Sequence, residues 1–163
     1  MTQCHTGSHT ILENIDILLN KKEPESDCEA FKLAFKFQDK DPKICAKLAR
    51  MYRDGRGTPR DIEQSISCFR RATEYEIVWA TNELIDILLN KKEPESDCEA
   101  FKLAFKFQDK DPKICAKLAR MYRDGRGTNP NAEYAYAWFK KHYYDGPDYG
   151  RDLILTLISP NFI

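Results

Sequence analysis

IDILLNKKEPESDCEAFKLAFKFQDKDPKICAKLARMYRDGRGT runs from Ile15 to Thr58, and the same 44 letters return from Ile85 to Thr128, 70 residues later. A fixed period of this kind marks a repeat array, in which each unit buries its apolar face against its neighbours. Inside the stretch apolar residues recur at three- and four-residue spacing and do not alternate, so its elements read as helices. A period this long exceeds one helix pair, and it divides into two units of about 35 residues.

Carried outward, the division gives units at 7–41, 42–76, 77–111 and 112–147, with first and third of one kind and second and fourth of another. Residues 1–6 carry no core pattern and are expected to be a mobile tail. Residues 148–163 hold Leu153, Ile154, Leu155, Leu157 and Ile158, enough apolar surface for a capping helix at the end of an array. The expected fold is an all-α solenoid of four antiparallel helix pairs plus this C-terminal cap.

In the fourth unit, Asp111-Pro112 supplies a helix N-cap and a first-turn proline. Ile114, Leu118 and Met121 then mark a buried stripe, and Asp124-Gly125-Arg126-Gly127 stops the helix. Asn129-Pro130 opens a second helix with Ala135, Trp138, Phe139 and His142 inward, which Asp145-Gly146-Pro147 ends. The second unit repeats the plan, with helices expected from about Pro42 to Arg53 and from about Pro59 to Tyr75. Gly55, Gly57, Gly125 and Gly127 are structural turn residues on this reading. Gly55 and Gly125 are expected to behave alike when substituted. The first and third units differ in their link, Lys91-Lys92-Glu93-Pro94 in the third, which has no glycine.

Lys plus Arg and Asp plus Glu number 26 each, so no net charge draws the chain to nucleic acid or an anionic membrane. No apolar run reaches the roughly 20 residues that span a bilayer. The first residues, MTQCHTGSHTILEN, lack both a basic and an apolar signal region, and a cytoplasmic location is expected. The six cysteines include no CxxC pair and read as reduced, mostly buried thiols filling small core sites.

Candidate chemistry is sparse. DGRGT follows a helix, whereas a phosphate loop follows a strand, so it reads as a turn. Cys4, His5 and His9 lack the paired spacing of a zinc site, and His142 reads as a packed core residue. No metal, cofactor or catalytic residue is assigned, and the chain is not read as an enzyme.

The run Ala116, Leu118, Ala119, Met121, Tyr122, Gly125, Gly127, followed by Ala135 and Trp138-Phe139, resembles the Sel-one-like repeat, a relative of the tetratricopeptide repeat. The second unit matches through Ala46, Leu48, Ala49, Met51, Tyr52, Gly55 and Gly57, and departs at Ser65 and Cys68, where the family has Ala and Trp. The first and third units match weakly and lack the G-x-G. The resemblance implies a right-handed superhelix of helix pairs that scaffolds protein complexes without catalysis, its first helices lining a concave groove.

Charge completes the expectation. Lys43, Lys47 and Arg50 share one helical stripe, repeated by Lys113, Lys117 and Arg120. Glu13, Asp16 and Asn20, and again Glu83, Asp86 and Asn90, form an acidic-to-neutral stripe. Lys43, Lys47, Arg50, Asp86, Asn90, Lys113, Lys117 and Arg120 are therefore the candidate partner-binding residues, with Lys47 and Lys117 expected to be exposed. The competing reading is a solvated face with weak ion pairs. The expected function is a monomeric protein-interaction scaffold for a protein or peptide partner. Two alternatives stand beside it: an accessory module of a bacterial surface-polysaccharide enzyme, and a recently duplicated or engineered array without a selected ligand.

Overall fold

A computed structural model describes the backbone of residues 5–143 and the side chains of residues 9–140. Among the described residues there are eight helices and no strand. They are α1 (His5–Lys21), α2 (Pro24–Phe37), α3 (Pro42–Asp54), α4 (Ile62–Glu74), α5 (Val78–Lys91), α6 (Pro94–Phe107), α7 (Pro112–Asp124) and α8 (Ala132–Tyr143). The expected capping helix and the stop at Asp145-Gly146-Pro147 lie outside the described residues. Helix α1 begins at His5, inside the segment expected to be a tail.

The chain divides into two compact units, Met1–Thr81 and Asn82–Ile163, and α5 contributes its first turn to one and the rest to the other. In the first unit α1 packs on α2, α2 on α3, and α3 on α4. Ile15 of α1, Ala30 and Ala34 of α2, Ile44, Leu48 and Met51 of α3, and Ile66 and Phe69 of α4 are all buried. Alanines at the α2 positions let the backbones come close, and the aliphatic and aromatic residues fill the remaining space. In the second unit α6 packs on α7 and α7 on α8, with Ala100, Ala104, Phe107, Ile114, Leu118, Met121, Ala135 and Phe139 buried.

Helix starts follow local chemistry. Asp41 and Asp111 are extended N-caps, each accepting a hydrogen bond at 2.8 Å from the amide of Lys43 or Lys113. Asp41→Ala and Asp111→Ala should each cost about 1 kcal/mol, read as a lowered urea midpoint. Helix α4 starts at Ile62, later than the Pro59 expected. Asp61 takes the cap by accepting from the Gln64 amide at 3.0 Å, while its own amide donates to the Tyr52 carbonyl at 2.9 Å. In α8 the start likewise moves past Pro130: Asn131 accepts from the Tyr134 amide at 2.9 Å.

The glycine-free links make their turn with lysine. Lys22 and Lys92 sit at φ 56° and 55°, in the left-handed region that few non-glycine residues occupy. Among the cysteines, Cys45, Cys68 and Cys115 are buried as expected of core thiols, but Cys28 and Cys98 are exposed on α2 and α6. Their helix positions face away from the Ala30/Ala34 and Ala100/Ala104 stripes.

One polar residue sits badly. The Ser65 hydroxyl is fully buried without a hydrogen-bond partner, where the second copy of the plan has Ala135. A buried orphan hydroxyl costs about 1–3 kcal/mol. Ser65→Ala should therefore raise the thermal midpoint; a fall would mean the hydroxyl has a partner.

Candidate interaction surface

The basic stripe of α3 is only partly a free surface. Lys43 and Arg50 are exposed, but Lys47 is half-buried, its side chain 22 % exposed, and its ammonium is bonded to Asp16 of α1. The Arg50 guanidinium lies over the Trp79 ring, 4.2 Å from its centroid. In the second unit Lys113 and Arg120 are exposed. The Lys117 side chain is 14 % exposed and donates to Asp86 at 2.7 Å, to the Asn82 side chain at 2.6 Å and to the Asn82 carbonyl at 2.9 Å. Asn90 is exposed on α5.

This corrects the expectation that Lys47 and Lys117 are exposed. Within each unit the first helices of successive pairs lie close enough for the acidic position of one to meet the basic position of the next. The two stripes thus meet at their middle positions, and Asp86 is consumed with Lys117. Reversing Lys47 or Lys117 to Glu would set two carboxylates together, so each reversal should destabilise by about 1–2 kcal/mol. That outcome, measured by urea denaturation, contrasts with the unchanged fold expected if both lysines were free.

The DGRG loops carry a feature that the glycine pattern alone did not reveal. Arg56 reaches back from the α3–α4 loop and grips two earlier helices. Its Nε and Nη2 donate to the Asp27 carboxylate of α2 at 3.1 and 2.6 Å, and Nη2 also donates to the Leu19 carbonyl of α1 at 2.7 Å. Arg126 does the same in the second unit, with Asp97 at 3.0 Å from Nε and the Leu89 carbonyl at 2.6 Å from Nη2. Gly55 and Gly125 are left-handed C-caps whose amides donate to the Met51 and Met121 carbonyls. Gly57 and Gly127, at φ 69° and 70°, lie directly against the backbone of Asp27 and Asp97. The residues are visible in the sequence: an arginine between two turn glycines, and an aspartate in the first turn of the second helix before it.

His9 pairs with Glu13 at 3.0 Å on the surface of α1. Cys4 and the side chains of His5 and His142 lie outside the described residues. No group of three or more His, Cys, Asp or Glu is placed to hold a metal among the described residues. No helix among them is long and apolar enough to cross a membrane.

A left-handed glycine stop follows each A-x-L-A-x-M-Y helix, at Gly55 and Gly125. The Sel1 repeat model matches residues 42–74 and 112–141. Two segments of the chain are thus similar to the Sel1 repeat. The matched segments are α3–α4 and α7–α8, the pairs that hold the DGRG loop. A Sel1 repeat protein from Oxalobacter formigenes is similar in structure, with a TM-score of 0.65 at 15 % identity over 78 % of this chain and 60 % of that one. A second, c5321, is a protective antigen present in uropathogenic Escherichia coli strains and displays an SLR fold. It gives a TM-score of 0.58 at 18 % identity over 84 % of this chain and 34 % of that one. The chain thus spans about three fifths and one third of the length of these two proteins. At such identity the likeness establishes the fold, an all-α helical-repeat solenoid. No curated protein matches the chain in sequence.

Proposed function

We propose that the chain is a non-catalytic scaffold that binds a protein or peptide partner through the faces of its first helices. The observation that carries this reading is the arrangement of charge within each unit. Lys47–Asp16 and Lys117–Asp86 tie neighbouring first helices together and leave Lys43 with Arg50, and Lys113 with Arg120, at the surface beside them. A face already held in place loses little entropy on binding, and cations at its edge favour a partner segment bearing carboxylates. Asn90 adds a neutral hydrogen-bonding group in the second unit. The protein acts as a monomer in the cytoplasm on this reading.

The test begins with a partner captured by cross-linking in the native cell and then purified. Lys43→Glu with Lys113→Glu should weaken its affinity several-fold at low salt and less at high salt, because such contacts are screened within about 10 Å at 0.1 M. Equal affinity at both ionic strengths would remove these faces from the binding surface.

One observation favours a second reading, an array duplicated recently and without a selected ligand. Ile17 and Ile87 are the same position of the copied stretch, yet Ile17 is 58 % exposed and Ile87 is 8 % exposed. An apolar residue left in solvent by copying has had little time to be replaced. If no partner is captured and Ile17→Lys leaves stability unchanged, this second reading is preferred.

A further inference from the structure

Cys45 of α3 and Cys68 of α4 face each other in the core of the first unit, 1 % and 5 % exposed. The Cys45 Sγ lies 3.4 Å from the Cys68 carbonyl oxygen, which sets the two cysteines side by side between α3 and α4. The second unit is a built-in contrast. Its α7 repeats α3 letter for letter, but the position of Cys68 is taken by Trp138, and the Cys115 thiol turns to the Gln108 carbonyl instead. The dithiol is thus not part of the copied stretch, and it is absent from the second unit among the described residues.

We propose that Cys45 and Cys68 form a disulfide-forming site for small hydroperoxides, which ties α3 to α4 in the first unit only. The Cys45 thiolate attacks the peroxide oxygen, breaking the O–O bond and giving a sulfenic acid and hydroxide. The Cys68 thiol then attacks the sulfenic sulfur, forming the S–S bond, and its proton leaves with the displaced hydroxide as water, while the proton that Cys45 lost on ionisation neutralises the first hydroxide. Two thiols are oxidised, one hydrogen peroxide is reduced, and two waters leave. The surroundings suit the order of attack. Neutral Cys45 donates to the Cys68 carbonyl, whereas ionised Cys45 accepts from the Cys68 thiol. That second bond, helped by the Arg71 charge, holds Cys45 below the ordinary thiol value against the opposing effect of burial. Cys68 is pushed up by the same bond and by burial, so it stays the proton-bearing partner. Arg71 is itself held by Asp39 at 2.6 Å, on the adjoining α2–α3 link.

The experiment uses the full chain in native buffer with hydrogen peroxide as the probe. Remaining thiols are alkylated, and peptides are mapped by mass spectrometry. A Cys45–Cys68 linkage is expected, with a rise of several degrees in the thermal midpoint that dithiothreitol reverses. A Cys68→Ser variant with native helical content should lose both the linkage and the rise, while Cys115→Ser keeps them. Three results would overturn the proposal. In the first, Cys45 and Cys68 remain alkylatable while the exposed Cys28 and Cys98 have been oxidised. In the second, linkages form between chains through Cys28 and Cys98 alone. In the third, the Cys45–Cys68 linkage forms faster in urea than in native buffer, as expected if the folded arrangement of the two thiols does not matter.

Discussion

Gly57→Ala and Gly127→Ala should each destabilise the fold by about 3 kcal/mol or more, while Gly55→Ala should cost only about 1–2 kcal/mol. All the DGRG glycines lie near φ 70°, so each substitution carries the left-handed penalty. The difference lies in what a methyl group meets. At Gly57 a Cβ falls 2.1 Å from the Asp27 carbonyl oxygen, and at Gly127 it falls 2.2 Å from that of Asp97. Both obstacles are helical backbone and cannot step aside. The loop must withdraw, and Arg56 or Arg126 then loses its reach. At Gly55 the nearest atoms, of Arg60, are 3.5 Å away, an ordinary contact. Gly125 falls between: a Cβ there meets Pro130 Cγ at 2.6 Å, so Gly125→Ala should cost more than Gly55→Ala. The immediate neighbours of Gly55 and Gly125 match, which is why like behaviour is expected from sequence. The copies diverge after Thr58 and Thr128, however, and it is the diverged Pro130 that closes on Gly125. Urea denaturation of the four alanine variants gives the ranking; equal midpoints for Gly55→Ala and Gly57→Ala would mean that the loop does not press on α2.

The helices, their pairing and the left-handed stops were legible because each rests on local chemistry. Asp-Pro gives a cap and a first turn, Gly after a periodic run gives a stop, and the 44-residue copy fixes the period. Two helix starts were placed early, at Pro59 and Pro130. A proline there reads as a first helical residue, yet Asp61 and Asn131, two residues and one residue on, hold the better capping group and define the start instead. Helical spacing places Lys47 and Lys117 on a polar stripe, which predicts exposure. Spacing within one helix says nothing of the helix alongside, and it is Asp16 and Asp86 on that neighbour that draw them in. Which cysteines stay exposed, Cys28 and Cys98, is not legible for a similar reason: a small residue in a helix is equally at home on either face. Arg56 and Asp27 recur as Arg126 and Asp97, but they lie 29 residues apart, and helical spacing does not connect residues on different elements.

Arg56→Ala should cost about 2–4 kcal/mol, and Arg126→Ala a similar amount. The arginine makes three charge-assisted hydrogen bonds to groups on two different helices, so it fixes the position of α1 and α2 relative to the loop at once. The Asp27 side chain is 16 % exposed, and without Arg56 its carboxylate keeps little water in exchange for two lost bonds. The Leu19 carbonyl loses its donor as well, at the last turn of α1, where chain carbonyls have no partner in the helix. Arg56 is itself 33 % exposed, so solvent screening holds the effect to the lower half of that range. Arg56→Lys should recover less than half of the loss. A single ammonium on a flexible stem cannot span both carboxylate oxygens and a separate carbonyl, as a planar guanidinium does. The partition is measurable. In a double-mutant cycle of Arg56→Ala with Asp27→Ala, the coupling should be at least about 1 kcal/mol, because Asp27→Ala removes the orphaned charge. Part of the arginine's effect should remain in the Asp27→Ala background, since the Leu19 carbonyl still needs its donor. A coupling near zero would reduce Arg56 to an ordinary surface ion pair and leave the glycines alone to hold the loop against α2.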